Sequence, residues 1–172
     1  MQLARDDFDI FDLPRRFVLD RAELDARRRR LQAEVHPDRF AAADPASRRM
    51  AMQSAVRVNE AYERLKDPLR RAACLCELNG EPVRAEDNTA MPADFLVQQM
   101  AWREALEEAS GPTEVEAVAA ELEAYRAAAY QRLTATIDES RDFAAAAEQV
   151  RAMMFVERFA EDVAERQALE AR

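Results

Sequence analysis

A chain of 172 residues with only two glycines and an apolar fraction of 49% has the composition of a nearly all-helical protein, long enough for one domain or two small ones. Its net charge of -9 is unevenly placed. Residues 1–79 are close to balanced and residues 80–172 strongly acidic, which argues against nucleic acid, since phosphate contacts need clustered cations. No apolar run approaches the ~20 residues that cross a bilayer and the N-terminus carries no secretory pattern, so no membrane role and a cytoplasmic location are expected.

Phe8, Ile10, Phe11 and Leu13, ahead of Pro14, predict a helical turn or two packed on the next pair of helices. From Asp20 to Val35 the pattern is a helix: Asp20 is a good N-cap with Glu23 as its capping-box partner, Leu19 and Leu24 staple the start, and Pro37 stops it. The run Arg27 to Arg30 spans a full turn, so its four members cannot face one partner. Arg28 falls in line with Leu24, Leu31 and Val35, which predicts a stem over the core and a guanidinium in water.

His36-Pro37-Asp38 comes next, with the chain's only histidine. Beyond it Asp44-Pro45, a cap and then the one helical position that tolerates proline, opens a second helix. Its Ala51, Ala55, Val58, Tyr62 and Leu65 make one apolar stripe. Two antiparallel helices would then hold His36 to Phe40 in an exposed loop at one end. A histidine beside an aspartate suits a general base, but no nucleophile or Gly-rich phosphate loop accompanies it, and a metal would lack its third ligand. No catalytic residue, metal or cofactor is expected, and the tripeptide reads as a display site.

Asp67-Pro68 opens the next helix, with Leu69, Ala72, Ala73, Leu75 and Cys76, closed by Asn79-Gly80. Cys74 and Cys76, two apart on a helix, point in different directions and are expected as buried thiols, not as a disulfide, redox or metal pair. Residues 80–91 have turn composition without period, which divides the chain into 1–79, a connector over 80–91, and 92–172.

The last segment predicts a three-helix bundle with antiparallel neighbours. Its first helix begins after Met91-Pro92 and stops at Ser110-Gly111-Pro112. The second opens on Thr113 with Glu116 as capping-box partner and carries Val115, Val118, Leu122, Tyr125, Ala129, Leu133 and Ile137. The third begins near Asp142, its stripe running through Phe143, Ala147, Val150, Met154, Phe159 and Val163. The first of these helices has two apolar stripes: Phe95, Trp102 and Leu106 with Gln99 between, and Leu96, Val97 and Met100 flanked by Glu104 and Glu108. One stripe suffices for a bundle, so either the second meets a partner or both are buried.

Arg27 to Arg30, His36-Pro37-Asp38-Arg39-Phe40 and the stretch from Asn59-Glu60-Ala61-Tyr62 to Leu65-Lys66-Asp67-Pro68 resemble a J-domain. Asp7-Phe8 to Leu13-Pro14, Pro68-Leu69-Arg70-Arg71-Ala72 and Phe95-Leu96 to Arg103-Glu104 extend the similarity over nearly the whole chain. That wider similarity is to the HscB family, J-type co-chaperones of bacterial iron–sulfur cluster assembly. The resemblance implies an all-α fold, an N-terminal J-domain followed by a C-terminal three-helix bundle, and a regulator in place of an enzyme. Its partners would be an ATP-bound HscA/DnaK-type chaperone, met by His36, Pro37, Asp38, Arg27, Arg29 and Arg30, and an IscU-type scaffold protein. On the scaffold side Leu96, Val97 and Met100 would be apolar anchors and Glu104 and Glu108 the polar rim. Glu34 stands where J-domains commonly have a basic residue, Val35 replaces the usual aromatic, and Ala101 takes the place of a frequent acid. A J-domain co-chaperone with another client and a helical adaptor without a chaperone partner are the alternatives.

Overall fold

The computed structural model describes residues 6–40, 42–84, 91 and 93–170, without the side chains of Pro37 and Ala93. Half of the connector expected over 80–91, together with Pro92, lies outside the described residues. All regular structure among the described residues is helical, and the chain forms two compact units, Met1–Leu75 and Cys76–Arg172.

In the first unit a short helix α1 (Asp7–Ile10) precedes α2 (Arg21–Val35), α3 (Pro45–Lys66) and α4 (Pro68–Leu78), whose last residues run into the second unit. Every start has an acidic cap. Asp6 accepts from the Asp9 N–H at 3.0 Å, Asp20 from Ala22 at 2.8 Å, Asp44 from Ala46 at 2.9 Å and Asp67 from Arg70 at 3.0 Å. These first-turn N–H groups have no partner within their own helix. α2 and α3 run antiparallel: Arg21 reaches the Tyr62 hydroxyl at 2.8 Å near the end of α3, and Gln32 meets Asn59 at 2.9 Å. Phe8, Phe11, Leu24, Val58 and Leu65 fill the interior.

Charge is built into that interior. Buried Asp7 lies 2.6 Å from Arg57 and 2.8 Å from Arg64, two residues one heptad apart on α3. A buried carboxylate without such partners would be strongly destabilising, so the pair both neutralises it and pins α1 to α3. Buried Arg71 donates to the Phe17 carbonyl at 2.8 Å and to the Leu65 carbonyl at 2.5 Å, the latter left open near the end of α3. α4 ends on Gly80 at φ 84°, where Gly80 N–H bonds to Glu77 and Glu81 N–H to Cys76, a pair of bonds that needs a left-handed residue. Cys74 and Cys76 are buried and unbridged, and burial pushes the Cys76 thiol up to about 11.

The second unit packs α5 (Ala93–Glu108), α6 (Pro112–Thr134) and α7 (Phe143–Glu170) as a three-helix bundle, with one π-helical turn at Ala135–Ser140. α6 and α7 are antiparallel, joined where Arg126 and the Tyr130 hydroxyl both bond to Glu157, at 2.8 and 3.0 Å. α5 meets both of the others: Trp102 touches Tyr125 of α6 and Phe159 of α7.

Two local expectations are corrected. α6 opens on Pro112 after Gly111, without a side-chain cap, so the Thr113–Glu116 box does not form. Proline at the first position needs no N–H partner, and Glu114 instead reaches back to the Ser110 N–H at 2.7 Å. On α7 the inward methionine is Met153, while Met154 is 44% exposed. The buried stripe there advances by threes, through Val150, Met153, Val156 and Phe159, where steps of four and five through Met154 were expected.

Candidate functional site

The α2–α3 pair closes on a single turn of 3-10 helix, Pro37–Phe40, so the display loop is an ordered turn. It faces solvent, with the His36 side chain 58% and the Asp38 side chain 90% exposed. His36 sits at φ -59°, ψ 128°, out of helical geometry as a residue before proline must be. Arg39 ties the turn to the end of α2: its N–H bonds to the His36 carbonyl at 3.0 Å and its Nη1 donates to the Ala33 carbonyl at 3.2 Å. On the far side Asp44 anchors the start of α3, also accepting the Ser47 hydroxyl at 2.6 Å. Within the turn the Asp38 N–H lies 3.3 Å from His36 Nδ1, and Asp38 Oδ2 lies 3.5 Å from the same nitrogen. The Pro37 side chain lies outside the described residues. Among the described residues no cluster of three His, Cys, Asp or Glu side chains is arranged to hold a metal ion.

The four arginines of α2 divide. Arg29 and Arg30 are exposed, Arg30 only loosely paired with Glu34 at 3.9 Å. Arg27, expected to face a partner, is turned inward. Its Nη1 donates to the Phe11 carbonyl at 2.7 Å and to the Asp12 carbonyl, and its Nη2 to Glu23 at 2.6 Å. Carbonyls just past the end of α1 need donors, and Arg27 supplies them. Arg28 does not reach freely into water either, since its guanidinium stacks on the Tyr62 ring at 4.0 Å.

α5 is two-faced. Phe95 and Trp102 are buried, with Leu106 and Gln99 half-buried beside them. The Trp102 indole N–H donates to Glu121 at 3.0 Å, and its ring meets Tyr125 edge-on at 4.9 Å and stacks with Phe159 at 6.2 Å. Fixing the helix at two points seven residues apart carries Leu96, Val97 and Met100 to the opposite side, where they are 46%, 67% and 71% exposed. Glu104 and Glu108, also exposed, continue that side one and two turns on from Met100. Within its own unit, therefore, α5 buries one stripe and leaves the other uncovered.

Two exposed apolar residues of α7, Met154 and Phe155, were not expected at the surface. α5 and α7 run parallel with a constant offset: Trp102 pairs with Phe159, and the Ala109 carbonyl accepts from Arg166, 57 residues on. Met154 and Phe155, both exposed on α7, therefore stand level with Val97 and Gln98. The signal was available, because Met153 to Val156 are four apolar residues in a row and a helix cannot turn them all inward.

Antiparallel helices closing on a solvent-facing His-Pro-Asp turn define a J-domain, and a J-domain followed by a helical bundle is the architecture of a J-type co-chaperone. Residues 91–164 match the family model described as the HSCB C-terminal oligomerisation domain. The chain is 52% identical over 159 residues to the co-chaperone protein HscB homolog of Burkholderia mallei, covering 91% of this chain and 90% of that one. Among solved structures, chaperone HscB from Vibrio cholerae is 34% identical with a TM-score of 0.81, over 94% of this chain and 96% of that one. Human co-chaperone protein HscB reaches a TM-score of 0.91 at 26% identity, over 97% and 84%. The chain belongs to the HscB family of co-chaperones, and so is not itself an enzyme.

Proposed function

We propose that this chain acts in the cytoplasm to stimulate the ATPase of an HscA/DnaK-type chaperone through its first unit, and that its second unit brings an IscU-type scaffold to that chaperone. The scaffold's iron–sulfur cluster is then released to acceptor proteins. The observation that carries the reading is the His36-Pro37-Asp38 turn, open to solvent yet tied back to the end of α2 through Arg39. Groups fixed in advance lose little freedom on docking. To accelerate hydrolysis the turn must bind the chaperone's hydrolytic state more tightly than its resting state, since equal binding to both shifts nothing. Arg29 and Arg30 add attraction to an acidic groove, and Arg27 supports that face from behind by holding the segment after α1.

On the second unit Leu96, Val97 and Met100 are the apolar anchors, with Glu104 and Glu108 as a rim that favours basic residues on the scaffold. The chain has two cysteines, both buried, and so offers no four-thiolate site; the cluster stays on the scaffold as cargo.

The test is the ATPase rate of the cognate chaperone with this chain and scaffold added separately and together. His36→Gln removes the imidazole beside Asp38 and should abolish stimulation while helical content stays unchanged. Stimulation that survives the change rejects the mechanism. Stimulation without capture of the scaffold assigns the chain to another client.

A further inference from the structure

Tyr62 is a hub between α2 and α3. Its buried ring has the Arg28 guanidinium carbon 4.0 Å from its centroid, Arg21 at 5.3 Å and Lys66 at 5.6 Å. The hydroxyl donates to Asp25 Oδ1 at 2.8 Å and accepts from Arg21 at 2.8 Å, and Arg21 Nε closes the triangle on Asp25 at 2.9 Å. The α2 residues gathered on this one ring are 21, 25 and 28, a spacing of four and three that defines a single helix face. Arg28 Nε is buried without a hydrogen-bond partner, so the ring offers that edge of the guanidinium a cation–π contact, while Glu63 feels the same charge.

We propose that Arg28 is a positioning residue for chaperone docking: by stacking on Tyr62 it fixes the rotation of α2 about its own axis so that Arg29 and Arg30 face the partner, and its own charge takes no part in docking. The inference rests on the ATPase partnership proposed above. Successive helical residues turn by about 100°, so anchoring position 28 inward carries 29 and 30 outward, and slipping by one step would aim Arg29 at α3. The arginine run thus divides by task. Arg27 holds carbonyls after α1, Arg28 holds a ring on α3, and Arg29 and Arg30 are left to meet another molecule.

The test uses the full chain and its cognate ATPase chaperone at several salt concentrations, reading the half-saturating concentration separately from maximal stimulation. Arg28→Phe stacks on Tyr62 without charge and should stay within about twofold of the parent, with unchanged salt dependence. Arg28→Ala should raise the half-saturating concentration about fivefold at unchanged maximal stimulation, again with the parent salt dependence. Arg29→Gln and Arg30→Gln should each flatten the salt dependence, because a lost ion pair has nothing to screen. Arg28→Phe flattening it as Arg29→Gln does, or weakening docking as far as Arg28→Ala, makes Arg28 a docking charge and overturns the proposal. Should Arg28→Ala fail to fold, the Phe variant and the salt dependence still decide.

A readout without chaperone separates the two levels. In the free chain the Tyr62 ring current should shift the Arg28 side-chain protons upfield in NMR spectra, and Tyr62→Leu should abolish that shift. Its absence from the parent overturns the stack. A normal shift in a parent chain that stimulates no ATPase overturns the docking role through the partnership itself, with the contact intact.

Discussion

The two units differ in how their candidate partner-facing element is seated. In the first, helices are tied by directional contacts to charged side chains: Asp7 to Arg57 and Arg64, Arg71 to the Phe17 and Leu65 carbonyls, Arg27 to the segment after α1, and Tyr62 to three residues of α2. In the second, α5 is seated by aromatic rings, Phe95 and Trp102 against Tyr125 and Phe159, over an aliphatic core that includes Val115, Leu133, Ile137 and Val150. Directional contacts fix register and rotation, which a unit that must present one tripeptide in one orientation needs. Apolar packing fixes burial with less angular demand and leaves the outer side of α5 free to carry a second apolar stripe.

That contrast can be broken at its strongest point in the first unit. Asp7→Ala removes the carboxylate between two guanidiniums and should destabilise the first unit by about 3 kcal/mol, the low end for a broken buried pair because both arginines keep some access to water. Urea unfolding followed by amide NMR measures it. The emission of Trp102, the chain's sole tryptophan, should keep its native value where the first unit is already lost. A destabilisation below ~1 kcal/mol would mean that desolvation had nearly cancelled the pair's attraction.

The second unit should respond in the opposite pattern. Leu96→Ala with Met100→Ala deletes exposed side chains, so stability should move by no more than about 0.5 kcal/mol, whereas capture of the scaffold protein should weaken about tenfold. Calorimetry with purified scaffold reads the second quantity, and an unchanged affinity removes this stripe from the interface. Trp102→Phe keeps the ring in place but loses the bond to Glu121, and should lower the stability of the bundle by about 1 kcal/mol in a thermal melt.

The sequence made the periodic and the local legible. The helices around His36-Pro37-Asp38, the acidic caps and the two stripes of α5 all lie within a few residues of the signal that announces them. What it withheld were partners brought from afar. Asp7 reads as one more acid near a helix start, and nothing local says that Arg57 and Arg64, fifty and more residues on, will enclose it. Arg28 was legible as a stem on the inward face, but its guanidinium was expected in water because the ring that receives it comes from α3. The Thr113–Glu116 box lost to a competing start at Pro112 that the same stretch already contained. The expected stripe on α7 holds at Ala147, Val150, Phe159 and Val163 but not at Met154, because the adjacent Met153 takes the inward place.

The smallest effect is set by protons. Asp25 is held below the usual carboxylate range by the Tyr62 hydroxyl and then by Arg21, Asp44 by the Ser47 hydroxyl and N–H, and Glu63 by Lys66, and all three belong to the first unit. A carboxyl whose folded pKa is depressed contributes stability that is fully present above its unfolded value of about 4, and that is lost as pH falls through the folded value. The first unit should therefore be at full strength at neutral pH and weaken progressively below about pH 4, as the Asp25 link between Tyr62 and Arg21 and the Asp44 cap beside the display turn are protonated. Amide exchange in α2 and α3, followed from pH 6 to pH 3, should quicken relative to its intrinsic rate while Trp102 emission still reports a folded bundle. If the bundle opens first, the polar ties of the first unit are not what acid attacks, and the division of labour between directional and apolar contacts fails at the place where it is easiest to probe.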